Sequence, residues 1–423
     1  MRSRQHLLVA IHDRSWGRAE MAVRVAQELR VAGDRPRFLL HNSMVPLMQD
    51  TGFEIQRVDD HMGGLVRLAL DSLVRQVQPD SLIFFDYFNT CNYLLGLGIE
   101  DASFLLEYPC TIASLDTWDT TLTGIRFDLF GRSEGRLALG DVEAQGEEFD
   151  RIVHRLIPVP ITPIDDRPGK FACLPALSPR PLSGAEPDRG GWARRLGIPD
   201  SHKTVLFCSS AWQQLRGDHE SGRRIVRLLS RLMGAYLDRL GPTVHLVHVG
   251  PQSYPLQSVL GHRYHWQSPL GRAAFQELVA RSDLLLSANV SATTIGWAIQ
   301  MGVPVVVLEN SRMLRSMDEV ESVADGPLSE AAHALLREAL PVYPFRLWPL
   351  GYYAFLQPLL ADNAYCQTFE TVEVVNEPGV VSTCAALLFD PAARAAQARR
   401  QCRYIEQVKT LPSAAEVIRG FFA

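Results

Sequence analysis

The stretch Ala280 to Asn310 reads "ARSDLLLSANVSATTIGWAIQMGVPVVVLEN". An apolar run, "DLLLSA", ends in a loop of small polar residues; a helix-length segment from about Ser291 to Met301 closes on Gly302; and "PVVVLEN" is a second run, rich in β-branched residues. Two such runs joined by a helix make a βαβ unit with parallel strands. Its polar loop lies where the first strand gives way to the helix. A helix N-terminus presents unpaired backbone N–H groups and the positive end of the helix dipole, so this loop suits an anion. Asn289, Ser291, Thr293 and Thr294 add short side-chain donors without blocking approach. The alternative is that Ser291 or Thr293 merely caps the helix.

The same rhythm extends upstream. "KTVLFCSS", a helix near Gly222 to Arg239, "TVHLVHVG" and a helix near Gly271 to Arg281 precede the quoted stretch. At the N-terminus, "HLLVAIH" is a strand, "DRSWG" a loop, "RAEMAVRVAQELRVAG" a helix ending on Gly33, and "PRFLLHN" the next strand. Further strands are expected at Phe53–Val58, Ser81–Tyr87 and Thr111–Thr117, with a helix at about Gly63 to Gln78 between the first two. Strands alternating with helices imply mostly parallel sheets covered on both faces. From Pro158 to Gly191, prolines and glycines crowd out helix formers, the mark of a linker. The expected organisation is therefore α/β throughout: a Rossmann-like domain over residues 1–165, a linker over 166–200, and a second Rossmann-like domain over 201–385. A helical tail over 386–423 is expected to pack back across the junction.

Composition narrows the function. A chain of 423 residues exceeds one hydrophobic core, and its 47% hydrophobic and 21% charged residues are ordinary for a globular protein. The net charge of −5 includes no long single-sign block, which argues against nucleic acid and against an anionic membrane surface. The seven cysteines are scattered without a CxxC pair, as suits reduced thiols in the cytoplasm. The apolar run Leu7 to Ile11 is too short for a signal sequence, and no window approaches the roughly 18 apolar residues of a membrane span. His245 and His248 lie three apart on a strand, facing opposite sides, so they make no metal pair. There is no P-loop, no GxSxG and no GxGxxG, which excludes the commonest kinase, hydrolase and dehydrogenase readings.

Two α/β domains facing each other across a linker resemble the GT-B glycosyltransferase architecture, as a divergent bacterial member would. The resemblance is strongest over Ser209 to Asn310 and extends in weaker form to "HLLVAIHDRSWGRAEMAVRVAQELRVAGDRPRFLL". It implies a nucleotide-sugar donor, used as cosubstrate with no bound cofactor and no metal, in the C-terminal domain. Donor contacts are then expected from Ser209 and Ser210 after the first strand of that domain, from Pro269 and Leu270 at a Pro-containing turn, and from Asn289, Ser291, Thr293 and Thr294 around the diphosphate. Glu309 and Asn310 stand where related enzymes hold sugar hydroxyls. Relatives carry a His where Asn289 stands and a ribose-binding Glu where Trp297 stands; an indole has one N–H and no acceptor, so the usual ribose clamp is missing. Trp297 reads equally well as core.

In the first domain, relatives place a catalytic His directly after a glycine, where this chain has Arg18 following Gly17. His12, with Asp13 beside it, is the nearest imidazole; Asp86 and Asp116 end later strands on the same edge, and any of these could act as general base. The aromatics Trp16, Tyr87 and Trp118 would suit stacking on an acceptor, although such residues are more often core. The expected activity is transfer of a sugar from a nucleoside diphosphate to a small-molecule, natural-product-like acceptor, by a cytoplasmic enzyme that a homodimer would also suit. The competing readings are an epimerase or hydrolase of the nucleotide sugar alone, and a binding protein with a decayed donor site.

Overall fold

A computed structural model describes residues 2–11, 16–48, 51–99, 101–125, 139–173, 192–215 and 220–423. These divide into two compact units, residues 1–176, 358–363 and 407–423 in the first and 177–357 and 364–406 in the second. The segment 386–423, expected as one tail, is thus divided between the units.

The first unit holds seven parallel strands: β1 (Gln5–Ala10), β2 (Arg35–His41), β3 (Glu54–Val58), β4 (Ser81–Phe84), β5 (Thr111–Leu115), β6 (His154–Val159) and β7 (Lys170–Ala172), in the order β3-β2-β1-β4-β5-β6-β7. Chain direction across the sheet reverses between β1 and β4, which makes the carboxyl ends of these two strands the topological switch point. The helix Trp16–Val31 buries Ala19, Ala22, Val23, Ala26 and Leu29, a stripe at helical spacing, against Leu8, Phe38 and Leu40 of the sheet. The last helix, Ala414–Gly420, returns to this unit: Ala414 N–H donates to Glu28 Oε2 at 2.7 Å, and Arg419 Nε to Asp34 Oδ2 at 3.0 Å.

The second unit repeats the plan with six parallel strands: β8 (Lys203–Cys208), β9 (Val244–Val249), β10 (Tyr264–Gln267), β11 (Leu284–Ser287), β12 (Val305–Glu309) and, after a separate two-stranded hairpin of β13 (Phe345–Leu347) and β14 (Gly351–Tyr352), β15 (Glu370–Glu373). The order is β10-β9-β8-β11-β12-β15, with the switch point between β8 and β11. The apolar runs of the sequence are its central strands: β9, β11 and nearly all of β8 and β12 are buried along their length. One core cluster joins Phe207, Leu246, Leu286, Val306 and Leu308 to Leu232, Met233 and Leu387 of the covering helices. None of the seven cysteines forms a disulfide. Among the described residues no helix is long and apolar enough to cross a membrane.

Candidate functional site

The donor-site residues expected from the sequence fall at the carboxyl ends of β8, β10, β11 and β12, the edge where ligands of such sheets gather: most are on the loops, Glu309 ends β12, and Thr293 and Thr294 open the helix after β11. The loop after β11 is the best defined. Ser287 Oγ donates to Asn289 O at 3.0 Å, and Asn289 Oδ1 accepts from both Ser291 N (2.9 Å) and Ser291 Oγ (2.8 Å). Asn289 therefore shapes the turn, and Ser291 spends its hydroxyl within it. The helix that follows, Thr293–Gln300, has Ala292 at its N-cap, in extended conformation and with no side-chain acceptor. Neither Ser291 nor Thr293 caps it. Its Ile295 N–H donates to Ala292 O at 2.9 Å, while the N–H groups of Thr293 and Thr294 have no partner within the helix. Asp86, Ser329, Asn376 and Ser413 each cap a helix by accepting from a first-turn N–H, whereas Leu65–Val77 and Arg272–Arg281, like Thr293–Gln300, have no side-chain cap.

Beside this loop, at the end of β8, Ser209 Oγ lies 2.7 Å from His248 Nε2. Tyr254 N–H donates to Tyr264 Oη at 2.8 Å, and Tyr264 Oη lies 2.9 Å from His248 Nδ1. Pairing the phenolic hydrogen with Nδ1 assigns the remaining imidazole hydrogen to Nε2, so His248 donates to Ser209. Burial pushes His248 down to about 3, and the ring is neutral at physiological pH. Ser209 is thereby an acceptor from His248, with its own hydrogen left for another partner. Ser210 N–H donates to Gln213 Oε1 at 2.8 Å, and Gln213 Nε2 to Trp348 O at 3.1 Å. Pro269 and Leu270 follow β10 at the sheet edge, two strands from β8, and lead into the helix Arg272–Arg281, whose Phe275 meets Trp297 edge-on. Trp297 is 3% exposed: it is core, and no ribose clamp stands there.

After β12 the expectation needs correction. Asn310 is fully buried, and its Nδ2 donates to Arg312 O and Tyr343 O, each at 2.7 Å. It is a staple for the chain that returns at Tyr343 and is not available to a sugar hydroxyl. Glu309 stays partly open and pairs with Arg346, Nε to Oε2 3.2 Å. Burial, with Glu373 nearby, raises the Glu309 carboxyl above its ordinary value, and Arg346 opposes the shift. Arg346, Gln213 and the site role of His248 were not legible in the sequence, because nothing in local spacing says which strand end a residue 37 to 135 positions away will reach.

In the first unit, His12 and Asp13 lie outside the described residues. Asp86, at the end of β4, is held by Arg18 (Oδ2 to Nη2 3.0 Å) and caps the helix Tyr87–Gly96. Its backbone φ of 113° is one that an L residue rarely adopts. Asp116, at the end of β5, accepts from Thr120 N at 3.0 Å and Thr120 Oγ1 at 2.9 Å; burial pushes its pKa up to about 6. Asp119 and Lys170, both almost fully buried, share a charge cluster with Asp165 and Arg167. Tyr87 is fully buried among Phe84, Phe88 and Phe149 and donates to Glu148 Oε2 at 2.6 Å. Trp118 is 7% exposed. Both are core, and the expected stacking surface at these two residues gives way to packing. Trp16 is half-buried against the same unit's core. Among the described residues no cluster of three or more His, Cys, Asp or Glu is arranged to hold a metal ion.

The architecture is that of the GT-B fold, and solved structures share it over nearly the whole chain. Glycosyltransferase VinC in complex with dTDP matches with TM-score 0.51 and 13% identity, covering 98% of each chain. Spinosyn rhamnosyltransferase SpnG complexed with spinosyn aglycone matches with TM-score 0.51 and 13% identity, over 99% of this chain and 100% of that one. A protein described as a UDP-N-acetylglucosamine 2-epimerase, from Listeria monocytogenes, matches with TM-score 0.52 and 11% identity, over 94% and 91%. At these identities the likeness is one of fold. No curated protein sequence matches the chain. Residues 25–422 match the family described as "Family of unknown function (DUF6365)", and the chain belongs to that family.

Proposed function

We propose that this member of the family binds a nucleoside-diphosphate sugar at the carboxyl edge of its second sheet and transfers the sugar to a small-molecule acceptor. The observation that carries the reading is the uncapped N-terminus of Thr293–Gln300 at the switch point between β8 and β11. Unpartnered N–H groups and the helix dipole meet there, and both favour a diphosphate. Thr293, Thr294, Ser209 and Ser210 stand around the same edge. VinC, seen with dTDP, and SpnG, seen with an aglycone, support the donor and acceptor classes by fold. With Trp297 in this chain where a ribose carboxylate would stand, the donor's base and sugar are to be found by experiment.

In this reading the acceptor hydroxyl oxygen attacks the anomeric carbon, the bond from that carbon to the diphosphate oxygen breaks, and its electron pair leaves with the diphosphate. The helix N-terminus meets the added negative charge, without a metal. A base takes the hydroxyl proton. Of His12, Asp86 and Asp116, Asp86 is engaged with Arg18, and Asp116, whose pKa burial raises to about 6, is 3% exposed and bonded to Thr120; we take Asp116 as the acidic candidate. Replacement of Asp116 by Asn is then expected to lower turnover by roughly 10²- to 10⁴-fold.

The epimerase-like neighbour favours a second reading, in which the nucleotide sugar is converted with no acceptor. Mass-spectrometric product analysis of UDP-, TDP-, GDP- and ADP-sugars decides between them. A product formed only with an acceptor, and unaffected by EDTA, supports transfer without metal. A new or hydrolysed sugar formed at full rate without acceptor supports the second reading.

A further inference from the structure

The chain from Tyr343 to Tyr353 runs across the carboxyl ends of β11 and β12. Phe345 and Asn310 exchange both main-chain bonds, at 3.0 and 2.7 Å; Val290 N–H donates to Arg346 O at 3.1 Å; Trp348 N–H donates to Ala288 O at 3.2 Å. This strap holds the polar loop from the far side. From Phe345 to Leu347 the side chains alternate, Phe345 and Leu347 pointing into the core at 0 and 1% exposure, before Trp348, at 0%, breaks the pattern. Arg346 therefore falls on the opposite side. Its carbonyl accepts from Val290 N–H, so the backbone of Arg346 lies beside the loop that leads into the uncapped helix.

Three contacts hold the Arg346 side chain in one place. Its Nε lies 3.2 Å from Glu309 Oε2, its Nη2 donates to Tyr353 Oη at 3.1 Å, and its guanidinium carbon sits 4.4 Å from the centre of the Tyr353 ring. The Tyr353 hydroxyl in turn reaches Glu309. The strap does not need this charge for anchoring, since four main-chain bonds and three buried apolar side chains already fix it. A largely buried ion pair stabilises a fold no better than well-packed apolar residues would. A guanidinium pre-set by a carboxylate and a ring face, however, is what a phosphate requires.

We propose that Arg346 is the side-chain cation of the diphosphate seat, with Glu309 and Tyr353 as the residues that position it. This rests on the preceding reading of the site and adds to it a specific charge. The helix N-terminus supplies N–H donors, and Arg346 supplies a full positive charge to the phosphate that leaves when the glycosidic bond breaks. Glu309, placed by its sequence position for a sugar hydroxyl, acts through the guanidinium.

The test is calorimetric titration of wild type, Arg346→Gln and Arg346→Lys with UDP, TDP, GDP and ADP and with the corresponding nucleosides, at low and high salt. For the diphosphate that wild type binds, Arg346→Gln is expected to lose ~10- to 100-fold in affinity and much of the salt dependence, with binding of the matching nucleoside unchanged. Arg346→Lys recovers part of the loss. Glu309→Gln is expected to weaken the diphosphate but not the nucleoside. If Arg346→Gln binds diphosphate as wild type does, or loses diphosphate and nucleoside in equal proportion, the assignment of Arg346 is wrong while the seat survives. If wild type binds no diphosphate, the seat itself is wrong.

Discussion

Arg18 and Asp86 form a buried ion pair at the switch point of the first sheet: Nη2 and Oδ2 are 3.0 Å apart, and the side chains are 5 and 6% exposed. The sequence places Arg18 where the resembling enzymes have a catalytic His, and the structure shows what the guanidinium does instead. It neutralises the carboxylate that caps the next helix. Removing one partner strands a buried charge, so Arg18→Ala or Asp86→Ala is expected to cost about 3–5 kcal/mol in urea unfolding. A loss below about 1 kcal/mol would show that water reaches the pair.

Asp116 makes stability depend on pH. Its ordinary pKa is 3.8 and burial raises it to about 6 in the folded protein, so between these values the folded state binds more protons than the unfolded chain. Stability from this group is therefore greatest at low pH and falls as pH rises from about 4 to about 6. Asn at this position keeps an acceptor for Thr120 and cannot ionise. Between pH 4 and pH 7, Asp116→Asn is expected to gain on wild type by on the order of 2–3 kcal/mol. A gap that stays constant across that range contradicts the assignment.

Ala292 is an N-cap without a cap. Its backbone, φ −65° and ψ 123°, already has the extended conformation that a capping residue adopts. Ala292→Asp is expected to raise the unfolding free energy of the unliganded protein by about 0.5–2 kcal/mol. The same carboxylate occupies the N–H groups assigned to phosphate and repels it, so diphosphate affinity should fall. A variant that is stabilised and still binds diphosphate normally would place the ligand elsewhere.

Gly250 guards the Ser209 loop. A Cβ built there would overlap Ser209 Oγ and stand 2.9 Å from His248 Nε2. Gly250→Ala must push the loop off His248, at an expected cost of about 1–3 kcal/mol, with weakened diphosphate binding. Unchanged stability and affinity would mean that Ser209 has no fixed place in the site.

Periodicity was enough to read much of this molecule. The βαβ halves, the loop after β11 and a helix expected from about Ser291 and found from Thr293 all follow from apolar runs and their spacing, which are local properties. What escaped was long-range. β6 is hard to read because "HRLIPV" carries Pro158 and runs into the Pro-rich region, and β10 and β15 because "YHWQ" and "ETVE" carry polar side chains on short outer strands. The strap through Arg346 has no periodic signature, and its pairing with Ala288, Val290 and Asn310 exists only in three dimensions. Burial likewise decided Tyr87, Trp118, Trp297 and Asn310, residue types that look the same in a site and in a core.

The most direct measurement is a thermal-shift comparison of wild type and Thr293→Glu against UDP, TDP, GDP and ADP. Binding raises the midpoint by mass action, by an amount that grows with ligand concentration. A rise with one nucleoside diphosphate is expected in wild type and none in Thr293→Glu, whose unliganded midpoint stays close to that of wild type. An equal rise in both proteins, or none in either, would contradict a phosphate seat at this helix.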